Sequence, residues 1–265
     1  MAIRRLLRGG LPDEDIERVA REAARRQGEE FESVRQLDAN NWLSIPCVVN
    51  EGLFVKIITQ QNTFVHGLLT TSRNIGVFSS RAEGFFERFE TPLSMAEHDL
   101  EATRQIREIG VNAPRPLEAF EHEGYGVLVL EFLPSFETLD DIEPDAVEAV
   151  APDIFGSLSR MHEAGIAHGD LRGENVLVVE GDLYFIDATK VNEDAIEQAR
   201  AYDIACALAA LGPIIGADSA VELAAEYYPP EVLLESENYL DFVNLRPDHD
   251  FDTLTMKGEI EKFVS

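Results

Sequence analysis

The chain has 265 residues, of which 45% are hydrophobic, and a formal net charge of −28 from 50 acidic and 22 basic side chains. This charge argues against broad nucleic-acid binding, which requires a basic surface. Because the acids are scattered along the whole chain, we interpret them as adaptation to a cytoplasm of high salt, where charge repulsion is screened. An acidic protein with a basic partner is the alternative.

Two cysteines, Cys47 and Cys206, stand in apolar surroundings and lack the spacing of a metal or redox site. The N-terminus lacks the apolar run of a signal peptide, and no segment approaches the length of a membrane span. We therefore expect a soluble, cytoplasmic protein with two buried free thiols and no membrane partner.

The N-terminal part of the chain predicts one helix followed by short strands. Residues 12–28 carry acids in the first predicted turn, Arg in the last, and Gly28 at the stop. Residues 59–92 have no clear periodicity, and we interpret them as a long insertion with some helix. Strands are predicted at 33–37, 45–49 and 53–58, the last two joined by the hairpin signal N-E-G.

The remaining pattern is mostly helical. A helix over 93–109 ends at Gly110, and an apolar run at 126–133 predicts a buried strand. Because strands come first and helices last, the order predicts an α+β fold with two lobes. Further helices are predicted at 144–164, 193–214, 218–227 and near 253–263.

A predicted hairpin gathers three polar side chains. Two short apolar strands, V-L-V-V and L-Y-F-I, are joined by E-G-D, whose Gly suits a tight turn. Asp170 and Asn175 precede the first strand, and Asp187 follows the second. Hairpin folding therefore brings all three together. Two carboxylates and an amide are ligands that Mg²⁺ accepts in proteins.

A lysine inside a predicted strand is a second candidate for the site. Lys56, one of four lysines, lies within L-F-V-K-I-I, where it is either an outward-facing residue or a cation for a phosphate or carboxylate. Asp99 lies on the apolar stripe of the 93–109 helix, either at its edge in solvent or as the partner of Lys56. Glu97 and Glu101 are the alternative partners. A Lys–acid pair and a metal cluster together indicate phosphoryl transfer.

Taken in chain order, these features resemble the protein-kinase-like superfamily. The matching set is Lys56, the acid on the following helix, H-G-D-L-R-G-E-N, and I-D-A in the D-F-G place. The sequence looks most like the RIO-type atypical protein kinases, and its acidity suggests a haloarchaeal member. The small kinase of the tRNA-modification complex and the aminoglycoside phosphotransferases share the H-G-D.

The resemblance covers roughly residues 34–215 and implies a bilobal kinase-like fold with a small β-rich N-lobe and a helical C-lobe. Residues 1–32 would be an N-terminal helical extension. Residues 33–131, with an insertion at about 59–92, would form the N-lobe, and residues 132–265 the C-lobe.

The resemblance also implies roles for individual residues. Lys56 would bind the α- and β-phosphates of ATP, Asp99 would hold Lys56, and Asp170 would act as the base or orient the hydroxyl. Asn175 and Asp187 would bind Mg²⁺. The remaining implied roles are a phosphate contact at Ser44, a gatekeeper at Leu130, an adenine hinge at Glu131–Leu133, and loop support from His168 and Asp203.

The sequence departs from the family pattern in four places. No glycine-rich loop precedes Lys56, since its place is held by D-A-N-N-W-L-S-I-P. Asp99 stands where a Glu is expected, and D-A-T replaces D-F-G. The stretch from Asp187 to Asp203 has no room for an activation loop.

The only obvious basic spots are Arg73 and Arg81 in the insertion with Arg4, Arg5 and Arg8.

The implied function is ATP- and Mg²⁺-dependent phosphoryl transfer by a RIO-like serine/threonine kinase, with autophosphorylation or an ATPase switch in ribosome assembly as variants. The basic spots would then touch RNA or another acidic partner. One alternative is a small-molecule phosphotransferase of the aminoglycoside-kinase type, whose acidic segment Asp241–Asp252 would hold a cationic substrate. Another is a nucleotide-binding pseudokinase scaffold.

Overall fold

The computed structural model describes residues 11–37, 44–63, 89–189, 191, 195–245 and 250–265. These residues form two compact units. The described residues of the first unit lie within 1–71, 88–105 and 114–134, and those of the second within 106–113 and 135–265.

The first unit contains a five-stranded antiparallel sheet in the order β1-β2-β3-β5-β4. Strands β2 and β3 form a hairpin in which Pro46 lies opposite Lys56. Asn50 and Glu51 in its turn both have positive φ, and the N–H of Gly52 donates to the carbonyl of Val49 at 3.2 Å. The strands are β1 (Val34–Gln36), β2 (Ile45–Val49), β3 (Leu53–Ile58), β4 (Pro116–His122) and β5 (Tyr125–Glu131).

Helix α1 (Asp13–Arg26) packs its apolar face against one side of this sheet. Its buried residues belong to the same cluster as Val55 and Ile57 of β3. One exposed ion pair, from Arg18 to Glu123, adds to this contact. The predicted extension 1–32 thus contains a helix that is part of the core of the first unit.

Helix α2 (Pro92–Glu108) contacts the other side of the sheet. Met95 and Ala96 of α2 pack with Ile58, Leu128 and Leu130 of the strands. Because side chains alternate along a strand, the odd-numbered residues of β3 face α1 and the even-numbered ones face α2. Neither side of the central strand β3 therefore faces solvent.

The second unit is helical and carries a small three-stranded sheet in the order β6-β7-β8. The helix Ile196–Ile215, labelled α4 below, is buried on most of its surface, and its small residues let neighbouring helices approach closely. The elements are β6 (Glu137–Thr138), α3 (Pro144–Glu163), a 3₁₀ turn (Gly173–Asn175), β7 (Val176–Val179), β8 (Asp182–Phe185), α4 (Ile196–Ile215), α5 (Ala217–Ala225), α6 (Pro230–Asn244) and α7 (Thr253–Val264).

The predicted α+β class, with a strand-rich N-terminal lobe and a helical C-terminal lobe, is confirmed by these units. The finer division at residues 32 and 131 stays a prediction. Both cysteines are buried, and neither forms a disulfide. Within the described ranges, no helix is long and apolar enough to cross a membrane.

Three elements were missed by the sequence pattern. Strand β4 is half polar, since it lies at the edge of the sheet and its partly exposed residues break the apolar run. Helix α6 begins with Pro230 and mixes acids among its buried residues. Strand β6 has only two residues and is defined by its partner β7 rather than by its own sequence.

Candidate active site

The first unit pairs Lys56 with Asp99. The Nζ atom of Lys56 lies 2.8 Å from Oδ2 of Asp99, and the two side chains are 5% and 10% exposed. Lys56 is an even-numbered residue of β3 and so faces α2, which carries Asp99. A charge at this depth requires an opposite charge. Of the alternative partners, Glu101 pairs with Arg104 on the same helix.

The position of Asp99 depends on how α2 docks. Thr91 and Ser94 cap the helix reciprocally, each backbone N–H donating to the hydroxyl of the other, at 3.1 and 3.0 Å. Gly126 of β5 lies directly under this end, because a Cβ atom there would be 2.1 Å from the carbonyl oxygen of Pro92. Close backbone contact therefore fixes the helix that carries the acid.

The other residues predicted to hold the nucleotide from this unit lie near strand ends. Ser44 is buried just before β2, and Leu130 packs against α2. The N–H groups of Glu131 and Phe132 donate to the carbonyls of Arg115 and Gly52, so these two amides belong to the sheet. The loop that replaces the glycine-rich segment, 38–43, lies outside the described residues, as do the arginines of the insertion.

In the second unit, a buried carboxylate holds the loop that carries Asp170. Asp203 on α4 is fully buried and accepts hydrogen bonds from the backbone N–H groups of His168, at 2.6 Å, and Gly169, at 2.7 Å. The sequence left open whether Asp203 was only an acid near a helix start. The structure shows that it fastens the chain two residues before Asp170.

The His168 ring joins this loop to the end of the hairpin. Its Nε2 lies 3.0 Å from the carbonyl oxygen of Ile186, and its Nδ1 accepts from the N–H of Asp170 at 3.4 Å. Burial lowers the pKa of His168, against the opposing effect of nearby Asp203 and Asp170. The ring is therefore neutral, and Nε2–H is the donor to Ile186.

The hairpin brings Asp170, Asn175 and Asp187 into one region. Asn175 lies in the 3₁₀ turn, and its side-chain amide donates to the carbonyl of Asp170 at 2.8 Å. The carbonyl of Asn175 accepts from the N–H of Ile186, at 3.1 Å, which places Asp187 next in the chain. Asp187 has a φ of 62°. A left-handed backbone in a residue other than Gly is concentrated at functional sites.

Sequence reasoning missed Arg172. Its Nη2 lies 3.4 Å from Oδ2 of Asp170, and its Nη1 contacts Glu174. The arginine thus lies between two carboxylates and orients the one in the loop. The signal was an Arg two residues after Asp170 in a chain that has few basic residues.

The side chains of Asn175 and Asp187 fit a Mg²⁺ ion that is also bound by substrate phosphates. Within the described ranges, no cluster of three or more His, Cys, Asp or Glu side chains has the geometry of a metal site. Asn175 and Asp187 offer one amide and one carboxylate oxygen group. Mg²⁺ in phosphoryl-transfer sites is usually held by one or two carboxylates together with substrate phosphates and water, so a pair is sufficient.

Comparison with known proteins finds a matching protein family. Residues 83–206, just under half of the chain, match the family model of the RIO domain. The RIO-type resemblance is confirmed. The matched segment includes Asp99, Asp170, Asn175 and Asp187, whereas Lys56 lies before it. The haloarchaeal origin stays a prediction.

Two curated relatives each resemble part of the chain. The KEOPS complex subunit Bud32 of Pyrococcus abyssi is 30% identical over 104 residues, 38% of this chain and 46% of that protein. A probable bifunctional tRNA threonylcarbamoyladenosine biosynthesis protein of Methanothermobacter thermautotrophicus is 31% identical over 36% of this chain and 17% of its own length. The chain thus matches less than half of either relative.

Among solved structures, the PAN3 pseudokinase of Drosophila melanogaster aligns with 88% of this chain and 66% of that one, at 12% identity and a TM-score of 0.43. The PAN3 pseudokinase of Neurospora crassa, in complex with PAN2, gives the same TM-score at 15% identity over 96% of this chain and 69% of that one. Similarities at this level assign neither a fold nor a function.

The buried pair in the first unit predicts a large cost for removing its acid. In Asp99→Ala the Lys56 ammonium loses its carboxylate in an apolar setting, which we expect to lower the free energy of unfolding by about 3 kcal/mol. The matched control is Glu101→Ala, which breaks an exposed pair on the same helix and should cost about 0.5 kcal/mol or less. Urea unfolding in concentrated KCl measures both, and equal costs would contradict the assignment.

The close contact at Gly126 predicts that one added methyl group disturbs the pair indirectly. In Gly126→Ala the N-terminus of α2 must move away, and we expect a stability loss of about 2 kcal/mol and a shifted Lys56 ¹⁵Nζ resonance. Gly52→Ala is the control, since a Cβ atom there meets only Asn50, at 3.8 Å. If both variants leave the Lys56 resonance in place, α2 is not positioned by this contact.

Proposed function

We propose that the protein is an ATP- and Mg²⁺-dependent phosphotransferase of the RIO type that transfers the γ-phosphate to a Ser or Thr hydroxyl. The RIO-domain match supports a protein-kinase-like phosphotransferase in general. The observation that carries the proposal is the loop and hairpin of the second unit, where hydrogen bonds hold Asp170, Asn175 and Asp187 in one region.

Lys56 is the proposed phosphate ligand of the first unit. Its pairing with Asp99 keeps a cation in an otherwise apolar environment, which is what binding of the α- and β-phosphates requires. For adenine, we propose the chain after β5. There the sheet uses the N–H groups of Glu131 and Phe132, so Leu133 is the proposed amide contact of the base and Glu131 offers its carbonyl.

Asn175 and Asp187 are the proposed Mg²⁺ ligands. The Asn175 side-chain N–H₂ is bonded to the loop, which leaves its oxygen for a ligand role. When bound, the ion would neutralise charge on the phosphates during transfer. The left-handed backbone at Asp187 sets the direction of that carboxylate at the end of the hairpin.

Asp170 is the proposed residue that orients the acceptor hydroxyl and accepts its proton. It is buried, and the loop around it is held from both sides by Asp203 and by the neutral His168. Arg172 fixes the carboxylate, and we propose that the Arg172 guanidinium also supports the negative charge of the transferred group.

The acceptor and the partners are proposed from the relatives. Both curated relatives have names that refer to a KEOPS subunit or to tRNA threonylcarbamoyladenosine biosynthesis. We therefore favour protein partners in a cytoplasmic tRNA-modification assembly over a ribosomal partner. Transfer to a protein hydroxyl and ATP hydrolysis as a switch use the same residues, so the destination of the phosphate separates them.

A small-molecule acceptor held by the acidic segment Asp241–Asp252 has less support. Asp241 pairs with Lys257 at 2.9 Å, and Asp252 caps α7 by accepting from Leu254 and Thr255. These two acids therefore serve the fold, and residues 246–249 lie outside the described part. A pseudokinase scaffold is the other alternative, and a measurement of ATP turnover distinguishes it from an active phosphotransferase.

The proposal predicts that turnover depends on the carboxylate of Asp170. With γ-labelled ATP and Mg²⁺ in concentrated KCl, we expect Asp170→Asn to reduce transfer or hydrolysis by about 10²-fold or more, because the hydroxyl loses its proton acceptor. Asp182→Asn, in the exposed start of β8, is the matched control and should keep wild-type turnover.

Label on protein favours the kinase, free phosphate favours the ATPase, and label on an added aminoglycoside or other small alcohol favours the small-molecule alternative. Wild-type protein that binds ATP without turnover in the presence of candidate protein acceptors would establish the pseudokinase. Equal turnover in Asp170→Asn and the wild type would refute the assigned role of Asp170.

A further inference from the structure

A buried tyrosine extends the hydrogen-bond network behind the loop that carries Asp170. The Tyr228 hydroxyl lies 2.8 Å from Nδ1 of His162, and the opposite ring nitrogen of His162, Nε2, lies 3.2 Å from Oδ2 of Asp203. All three side chains are almost completely buried. The same Asp203 oxygen accepts the N–H of His168. Four groups therefore form one chain, from the α5–α6 junction to the loop.

The chemistry of these groups fixes the direction of each bond. An ionised carboxylate only accepts hydrogen bonds, so the His162 nitrogen that faces Asp203 must carry the proton. In the Nε2–H tautomer, Nδ1 is the acceptor, and its donor is the Tyr228 O–H. Burial raises the pKa of Tyr228, which keeps its phenol protonated and able to donate.

The segment around Tyr228 is anchored as a unit. The backbone N–H of Tyr228 donates to Ala224 at the end of α5, and Pro230 begins α6 two residues later. The ring of the preceding Tyr227 contacts α3 at Gly156, where a Cβ atom would be 3.2 Å from the ring. The tyrosine hydroxyl is thus presented to His162 from a rigid corner of the second unit.

We propose that Tyr228 is a positioning residue for the phosphotransfer loop, acting through His162 to orient Asp203 and thereby the backbone of His168 and Gly169. This inference rests on the proposed function for its effect on turnover, but its effect on the loop backbone does not. Without the hydroxyl, the His162 ring is free to rotate or to change tautomer, and Asp203 loses one of the three donors that hold its carboxylate.

The test is Tyr228→Phe, which removes one oxygen, with Tyr227→Phe as the matched control. We expect backbone amide exchange at His168 and Gly169 to become about fivefold faster, the factor that corresponds to one net hydrogen bond. We also expect kcat to fall about tenfold with an unchanged KM for ATP, since a supporting contact is lost and no ATP contact is. Tyr227→Phe should change neither quantity.

A second variant shows whether Tyr228 acts through His162. Combined with His162→Gln, Tyr228→Phe should add no further loss of amide protection, because the path is already broken. The ring ¹⁵N shifts of His162 should report an Nε2–H tautomer in the wild type and a mixture in Tyr228→Phe.

Wild-type amide protection at His168 and Gly169 in Tyr228→Phe would overturn the proposal, as would losses that add fully in the double variant. If the wild-type protein itself has no turnover, the proposed function fails, and the amide exchange still decides whether Tyr228 positions the loop.

Discussion

The loop that carries Asp170 in the second unit depends on a single buried carboxylate, that of Asp203. The chain around Asp170 has no helix or strand to hold it, so its backbone amides require partners from elsewhere. Asp203 supplies two acceptor oxygens to His168 and Gly169 at once. A charged acceptor makes these bonds stronger than bonds to a neutral group, and burial of the site removes water as a competitor. The loop is therefore fixed where it leaves α3.

The loop is in turn joined to the end of the hairpin by hydrogen bonds of His168. The His168 ring contacts the carbonyl of Ile186, and the N–H of Thr189 donates to the carbonyl of His168 at 2.7 Å. Gly169 has a φ of 74°, and a Cβ atom there would be 3.2 Å from Thr189. The loop at Gly169 and the segment after the hairpin at Thr189 are therefore in close contact. Asp170, the residue proposed to orient a hydroxyl, and Asp187, a proposed metal ligand, thus belong to segments of one hydrogen-bonded structure.

Salt acts differently on the buried and exposed charges of this protein. Several described ion pairs lie on helix surfaces at i,i+3 or i,i+4 spacing, where each contributes about 0–1 kcal/mol and is screened by salt. The Lys56–Asp99 pair is about nine-tenths buried and is screened much less. Concentrated salt also screens the like-charge repulsion of a chain with a net charge of −28, while it weakens the buried pair of the first unit only slightly.

Much of the site follows from local sequence pattern. The strands 45–49 and 53–58 have the predicted bounds, because branched apolar residues flank an N-E-G turn that allows positive φ. The convergence of Asp170, Asn175 and Asp187 follows from hairpin geometry alone. The sequence pattern alone could not decide whether Asp99 or a neighbouring acid pairs with Lys56, because the pairing depends on how α2 docks against Gly126.

Other features depend on contacts between distant segments, which local periodicity does not encode. Strand β6 exists only through its pairing with β7, and Tyr228 reaches His162 across 66 positions of sequence. Arg172 was visible in the sequence, but its contact with Asp170 depends on the path of the loop. The residues that sequence reasoning missed are therefore those that support the site rather than those that resemble a family pattern.

The end of the hairpin is the proposed site for the metal of a bound nucleotide. Calorimetric titration of ATP into the wild type and Asp187→Asn, each with and without Mg²⁺ in concentrated KCl, tests it most directly. We expect Mg²⁺ to tighten ATP binding in the wild type by about tenfold or more, and Asp187→Asn to lose this gain while it keeps the metal-free affinity. An equal Mg²⁺ effect in both proteins would contradict the account.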